Sequence, residues 1–157
     1  MPKTHLAILI QPWLDLILDG HKTIETRISK VKVPPYESID VGDHVIMKER
    51  GGPIKGAFEV DEIETYYSDS QLDSMVFDEI CNKVSLDIFG LEGIEIAYRQ
   101  SILNKWCNSK YATFLHVKNV QHIETDLLLK KKNRKAWIIL GEGTTEEWIQ
   151  QLSIVNG

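Results

Sequence analysis

Short apolar segments separated by glycine and proline turns are the feature that most constrains the fold of this chain. Gly51-Gly52-Pro53 predicts a tight turn, and Pro34-Pro35 stiffens a longer loop over residues 30–41. These hairpin signals favour an antiparallel or mixed sheet over the strand–helix alternation of a parallel sheet. The predicted strands are residues 5–10, 23–29, 44–49, 54–66, 111–117, 120–123 and 136–140.

Helical periodicity is confined to three places along the chain. Pro12 is placed to open a short helix that Gly20 ends. Apolar spacing predicts two amphipathic helices between residues 68 and 107, which we interpret as a helical insertion. Thr144 and Glu147 have the spacing of a capping box and predict a closing helix. With 157 residues, the chain is predicted to form one α+β domain over residues 1–157.

Three ionisable side chains lie where the first helix ends and the second strand begins: Lys22, Glu25 and Arg27. Because side chains alternate along a strand, Glu25 and Arg27 share one face, with Lys22 at its entrance. Two cations beside a carboxylate suit a ligand with a phosphate and a polar edge, since arginine binds oxyanions in bidentate fashion. The alternative interpretation is a half-exposed strand that carries a surface ion pair.

The ordered motifs resemble the ASCH (activating signal cointegrator homology) family, a branch of the PUA-like barrels. Residues 20–27 read Gly-x-Lys-Thr-x-Glu-x-Arg, and Gly42-Asp43 follows. The resemblance spans about residues 5–65 and returns at 111–115 and 134–140. It implies a PUA-like mixed β-barrel with flanking helices, whose cleft carries this signature. The implied partner is RNA, a nucleotide or a modified nucleoside.

Four further residues are candidates to flank the ligand: Tyr36, Lys48, Gly51 and Gly52. Tyr36 lies in the proline-stiffened loop after the charged strand, where its ring is placed to stack on a base. The two glycines let backbone amides approach a ligand closely. They lack the Lys-Ser/Thr that follows the glycines of a P-loop, so a turn is the simpler interpretation.

The distribution of charge favours a local site over a long electrostatic track. The net charge is -5, but residues 1–60 sum to zero, residues 61–100 to -8 and residues 101–157 to +3. If the first and last segments build the barrel, the barrel is neutral to basic, and a cationic cleft is compatible with an acidic protein. The basic run Lys130–Lys135 is either a solvated turn or a loop that tracks phosphates.

The resemblance leaves an enzymatic alternative open. Small ASCH proteins that deacetylate N4-acetylcytidine have a threonine nucleophile at the position of Glu25 and an activating lysine at that of Lys22. A carboxylate does not replace an activated hydroxyl in acyl transfer, but Glu25 would act as a general base if burial raised its pKa toward neutrality. Thr23 is a displaced alternative nucleophile.

Three classes of function therefore remain open. The residue pattern favours a binding module. The alternatives are a hydrolase of a modified nucleoside or of RNA, with Lys22 and Glu25 as catalytic candidates, and a protein-interaction adaptor. An adaptor is expected to present an exposed apolar patch instead of a charged cleft.

No cofactor and no metal are predicted, because the five histidines and two cysteines lack ligand spacing. Cys81 and Cys107 are predicted to be small buried side chains. The chain is predicted to be cytoplasmic, with no membrane partner, because no apolar stretch has the length needed to span a bilayer. Trp137, which begins an apolar strand, is predicted to be a core residue. The sequence leaves the oligomeric state open.

Overall fold

Six strands form one curled sheet in the computed structural model of the protein, which describes residues 1–68, 92–126, 129 and 135–156. The strands are β1 (Lys3–Leu9), β2 (Ile24–Ser29), β3 (His44–Glu49), β4 (Ile54–Tyr67), β5 (Tyr111–His122) and β6 (Trp137–Glu142). The helices of the described residues are α1 (Trp13–Leu18), α2 (Glu92–Trp106) and α3 (Thr145–Asn156).

The order of strands across the sheet is β2-β5-β4-β3-β1-β6. The β1–β3 pair is parallel and the other pairs are antiparallel, so the sheet is mixed. The sheet curls into a half-barrel of the α+β, PUA-like kind, as the sequence predicts. Strands β2 and β6 are its two edges. We call the gap between β2 and the neighbouring strands β1 and β6 the seam.

Each predicted strand is present to within a few residues, except that the predicted strands 111–117 and 120–123 form one continuous strand, β5. Residues 118 and 119 do not split it, and β5 runs without a break. Asn119 adopts a positive φ of 51° where the register between β4 and β5 shifts, so a bulge absorbs the irregular residue. Asparagine tolerates this left-handed conformation better than most side chains do. The strand therefore bends and continues.

Apolar side chains lie on both faces of the sheet. Ala7, Val45 and Met47 belong to a cluster on one face, which also takes in Leu14 and Ile17 of α1. On the opposite face, α2 covers the half built from β2 and β5, and α3 packs near Leu6 and Ile46. Because both faces are covered, strand β3 is buried along most of its length and has no solvent-facing side.

Three helical predictions are confirmed, α1 among them, and a fourth lies outside the described residues. Helix α2 forms within the predicted insertion, whereas the first predicted helix of that insertion falls in residues 69–91, which are not described. The amide of Glu147 donates to Oγ1 of Thr144 over 3.1 Å, which confirms half of the predicted capping box at the start of α3. No helix in the described ranges has the length and apolar character needed to cross a bilayer.

The prediction for the cysteines is wrong at Cys107. This residue follows the last turn of α2 and is exposed. Trp106, directly before it, takes the buried position against β2 and β5 instead. Cys81 lies outside the described residues.

Gly56 permits the close approach of α1 to the β4–β5 pair. A Cβ on Gly56 would stand 2.5 Å from Cδ2 of Leu18 and 2.6 Å from the backbone oxygen of Gln121. We expect Gly56→Ala to destabilise the protein by about 2 kcal/mol, because a backbone oxygen cannot move aside as a side chain can. Urea denaturation monitored by circular dichroism measures this change.

Gly93→Ala is the matched control, because nothing lies within 4 Å of a Cβ there and the residue is in helix α2. Alanine is expected to be neutral or slightly stabilising at that position. Equal stability of Gly56→Ala and the wild type would contradict the packing described here.

Candidate functional site

A cleft of about 1250 Å³ opens at the seam of the sheet. Its walls come from strand β2, the end of β1, the start of β6, the loop over residues 33–36 and helix α2. Five of the described residues that line it are basic, and one is acidic. These are Arg27, Lys48, Arg50, Lys105 and Lys135, with Glu25 as the carboxylate. Five aromatic rings share the lining: Trp13, Tyr36, Tyr98, Tyr111 and Trp137.

Glu25 and Lys22 form a buried ion pair at the back of this cleft. Nζ of Lys22 lies 3.0 Å from Oε1 of Glu25, and it also donates to the backbone oxygen of Ile24 over 2.7 Å. Lys22 is 1% exposed and Glu25 is 6% exposed. The amide of Thr26 donates to the same Oε1 over 2.9 Å, so that oxygen accepts two hydrogen bonds. The pair fixes the start of β2 against the interior.

Each member of the pair keeps the other ionised. Burial by itself would raise the pKa of Glu25, but the charges of Lys22 and Arg27, with hydrogen bonds from Lys22 and Thr26, hold it below its usual 4.5. Burial would likewise lower the pKa of Lys22, and attraction to Glu25 raises it above 10.5 instead. Glu25 is therefore a carboxylate at neutral pH.

The condition for Glu25 to act as a general base is not met. That role requires a pKa raised toward neutrality, whereas the two cations lower it. Thr23, the other candidate nucleophile, is exposed and does not line the cleft. The pKa of Glu25 and the position of Thr23 thus differ from those that the two proposed hydrolytic roles require.

Arg27 spans the seam from the edge strand to the opposite wall. Its Nη2 donates to the backbone oxygen of Ile8 on β1 over 3.0 Å. Its guanidinium carbon lies 5.1 Å from the ring centroid of Trp137 on β6. The same Nη2 is 3.5 Å from Oε2 of Glu25. One side chain therefore connects strands β2, β1 and β6 with a hydrogen bond, a cation–π contact and an ion pair.

A buried series of hydrogen bonds lies behind Trp137, and no sequence pattern indicated it. Nε1 of Trp137 donates to Nδ1 of His5 over 3.1 Å, so Nε2 of His5 carries the proton that it gives to Oδ2 of Asp43 over 2.9 Å. Burial lowers the pKa of His5 and keeps the ring neutral, although Asp43 opposes this. His5 and Asp43 are 38 residues apart, so no local spacing signals the contact.

Helix α2 contributes Tyr98, another residue that the sequence did not assign to the site. The ring centroid of Tyr98 lies 5.2 Å from Nζ of Lys22, and its hydroxyl is 3.3 Å from Oγ1 of Thr26. The ring of Trp13 packs on Tyr98 at 4.8 Å between centroids. Tyr98 thus covers the Lys22–Glu25 pair from the side of the insertion. Its apolar spacing in the sequence indicated a helix face and nothing more.

The structure places five of the seven predicted site residues on the lining of the cleft. These are Glu25, Arg27, Tyr36, Lys48 and Gly51. Lys22 is buried behind Glu25 and does not reach the lining, because Glu25, Ile24 and Tyr98 enclose its ammonium group. Gly52 turns toward Glu49, whose Oε2 would lie 2.7 Å from an added Cβ. Lys135 lines the cleft, and residues 130–134 of the basic run lie outside the described residues.

Glu62, Glu64 and His116 form a separate group on strands β4 and β5. Their ligand atoms all lie within 4.8 Å of one another, a spacing that could hold a metal ion. Nε2 of His116 is 2.9 Å from Oε2 of Glu64, which accounts for the group as a hydrogen-bonded cross-strand contact. None of the three lines the cleft.

Known proteins share the family and the fold of this chain. The ASCH domain family model matches residues 8–150. The crystal structure of ASCH from Zymomonas mobilis is similar, with a TM-score of 0.65 and 14% identity over 97% of this chain and 95% of that chain. A point mutant of ZmASCH has a TM-score of 0.64 and 15% identity, and covers 98% of this chain and 99% of the other. No curated protein matches this chain significantly in sequence.

The buried pair generates a stability prediction. Glu25→Gln leaves the Lys22 ammonium buried without its closest counter-charge, and we expect a loss of about 3 kcal/mol in the free energy of unfolding at pH 7. Lys22→Met in the same chain removes the orphaned charge, so the double variant is expected to recover most of that loss. Urea denaturation of the wild type and the three variants, Lys22→Met alone included, measures both effects and their coupling.

The difference in the free energy of unfolding between the wild type and Glu25→Gln is expected to depend on pH. Because the folded pKa of Glu25 lies below 4.5, its contribution is present above pH 4.5 and is lost as the pH falls through the lower folded value. The gap between wild type and Glu25→Gln is therefore expected to shrink in acid. A gap that widens below pH 4.5, or additive single substitutions, would contradict the assigned pair.

Proposed function

Because this chain belongs to the ASCH domain family, we propose that its cleft binds a single-stranded RNA segment or a nucleotide. The observation that carries the proposal is the composition of the lining, in which five basic side chains and five aromatic rings surround one carboxylate. Basic groups attract phosphates, and flat rings stack on bases. A cleft with both is suited to a ligand that carries both.

Electrostatics support an anionic ligand despite the net charge of -5. The one acidic group on the described lining, Glu25, is already neutralised by Lys22 and faces Arg27. The other charges that line the cleft are positive. Because salt screens charges over about 10 Å, acidic residues elsewhere on the surface have little effect on a ligand seated in the cleft.

The aromatic residues are arranged to offer a stacking surface. Tyr36 is half-buried on the loop at one side of the cleft, and its ring meets Tyr111 edge-on at 5.0 Å between centroids. On the other side, the indole of Trp137 is fixed by its hydrogen bond to His5 and lies under Arg27. A base that enters between these walls gains contact with rings whose orientation is set before it arrives.

Glu25 and Arg27 together provide an acceptor and donors for the polar edge of a base. Oε1 of Glu25 is occupied by Lys22 and Thr26, whereas Oε2 accepts no hydrogen bond from the described residues. That oxygen suits an exocyclic amino group. Arg27 uses one N–H on Ile8 and has others to offer to a carbonyl or phosphate oxygen.

Binding without hydrolysis is the function that these residues support best. The carboxylate is held ionised by two cations, and Thr23 is outside the cleft. An adaptor for other proteins would instead use an exposed apolar patch, which differs from this cationic and aromatic lining. We therefore propose that recognition of an RNA base, and not transformation of it, is the role of the cleft.

Tyr36 and Tyr67 allow a matched test of the stacking surface. Both rings pack on Tyr111 at 5.0 Å between centroids, but only Tyr36 lines the cleft. We expect Tyr36→Leu to weaken binding of a short fluorescein-labelled single-stranded RNA by ~5-fold to ~100-fold, since stacking contributes about 1–3 kcal/mol per base. Tyr67→Leu is expected to leave binding unchanged. Fluorescence anisotropy titrations at fixed salt measure both affinities.

The salt dependence of binding sharpens this test. The wild-type affinity should fall as salt rises, because basic side chains displace counterions from the phosphates. An equal loss in both tyrosine variants would assign the effect to packing around Tyr111 and contradict base stacking by Tyr36. No detectable binding of RNA or nucleotide by the wild type would overturn the proposed function.

A further inference from the structure

Lys48 is a buried cation without a counter-charge in the described structure. It is 5% exposed, and its Nζ makes one hydrogen bond, to the backbone oxygen of Glu49 over 3.1 Å. No carboxylate of the described residues lies within 4.0 Å of this nitrogen. Burial of an unpaired ammonium group is costly, and buried charges in proteins are normally paired. Because no described residue supplies that counter-charge, the position suits an anion brought by a ligand.

The nearest acidic residue in sequence is engaged elsewhere. Oε2 of Glu49 lies 3.2 Å from Nζ of Lys55, and Oε1 accepts a hydrogen bond from Nε2 of Gln11 over 3.1 Å. Glu25, the acidic group on the described lining, is already paired with Lys22. Neither carboxylate neutralises Lys48.

A second cation lies two positions along the chain at the same end of β3. Arg50 lines the cleft, and its side chain is exposed. In the described structure its guanidinium makes no ion pair or hydrogen bond, and only its backbone amide is used, on the oxygen of Leu9. Gly51 follows with a positive φ of 73° and also lines the cleft. Lys48 and Arg50 thus bring two unneutralised cations to one corner of the cleft.

We propose that Lys48 and Arg50 form a phosphate subsite, distinct from the part of the cleft that holds the base. The inference rests on the proposed function, and it deepens it by naming the ligand as a nucleotide phosphate and not a free nucleoside. An ammonium group binds phosphate as a point charge, and arginine adds bidentate N–H contacts. Glu25, Arg27 and Tyr36 would contact the base, while the phosphate lies against Lys48 and Arg50.

The test compares 5′-nucleoside monophosphates with the matching nucleosides, each titrated against the protein by calorimetry. We expect the wild type to bind the best nucleotide at least ~10-fold more tightly than its nucleoside, which corresponds to about 1.4 kcal/mol. Lys48→Met keeps the length of the side chain and removes the charge, so this ratio should fall to about one. Arg50→Met, at an exposed position, should reduce the ratio by a smaller factor.

The control is Lys118→Met, which removes one positive charge from a lysine that is paired with Asp61 and does not line the cleft. The ratio of nucleotide affinity to nucleoside affinity should be the same for Lys118→Met as for the wild type. Thermal unfolding gives a further readout, because loss of an unpaired buried charge should leave the midpoint of Lys48→Met equal to or above that of the wild type. A merely structural lysine would instead lower it.

The outcomes separate this inference from the proposed function. If the wild type binds nucleoside and nucleotide equally, or if Lys48→Met and Arg50→Met both keep the wild-type ratio, the phosphate subsite is wrong and base recognition stands. If neither nucleosides, nucleotides nor RNA bind, the proposed function fails and the subsite fails with it. A high ratio that both variants lower, with Lys118→Met unchanged, supports the subsite.

Discussion

Burial of the Lys22 ammonium group against Glu25 is the interaction on which the architecture of the cleft depends. The pair fixes the start of edge strand β2, and Tyr98 covers it from helix α2. Because Lys22 satisfies Oε1 of Glu25, Oε2 is left facing Arg27. Arg27 then bridges the seam to β1 and β6. A charge pair inside the protein thereby sets the orientation of polar groups at its surface.

Two buried carboxylates, Glu25 and Asp43, are paired within the fold, whereas the buried cation Lys48 is not paired with any described residue. Glu25 is neutralised from within, and Asp43 is occupied by His5 and by the backbone amides of Lys3 and Asp40. These contacts lower the pKa of Asp43 below its usual 3.8, although burial acts in the opposite direction. Lys48 has no such partner among the described residues. The described lining of the cleft is cationic because its one acidic group, Glu25, is paired with Lys22, whereas Lys48 and Arg50 have no counter-charge among the described residues.

Much of this arrangement follows from local sequence rules, and the rest depends on distant contacts. Strand alternation correctly predicts that Glu25 and Arg27 share a face, and turn chemistry predicts the ends of β3 and β4. The burial of Lys22 is not predictable in this way, because Tyr98, 76 positions later in the chain, encloses it. Lys48 is buried because both faces of β3 are covered. Local sequence does not predict this burial, because lysine side chains are mostly exposed.

Entry of the ligand at the seam can be followed through the indole N–H signals of the four tryptophans. Trp13 and Trp137 line the cleft, whereas Trp106 is the last residue of α2 and Trp148 lies on α3, both outside the lining. In a nitrogen–proton NMR titration with a short single-stranded RNA, we expect saturable shifts of the Trp13 and Trp137 signals with little change in the other two. Shifts confined to Trp106 or Trp148, with Trp13 and Trp137 unmoved, would contradict it.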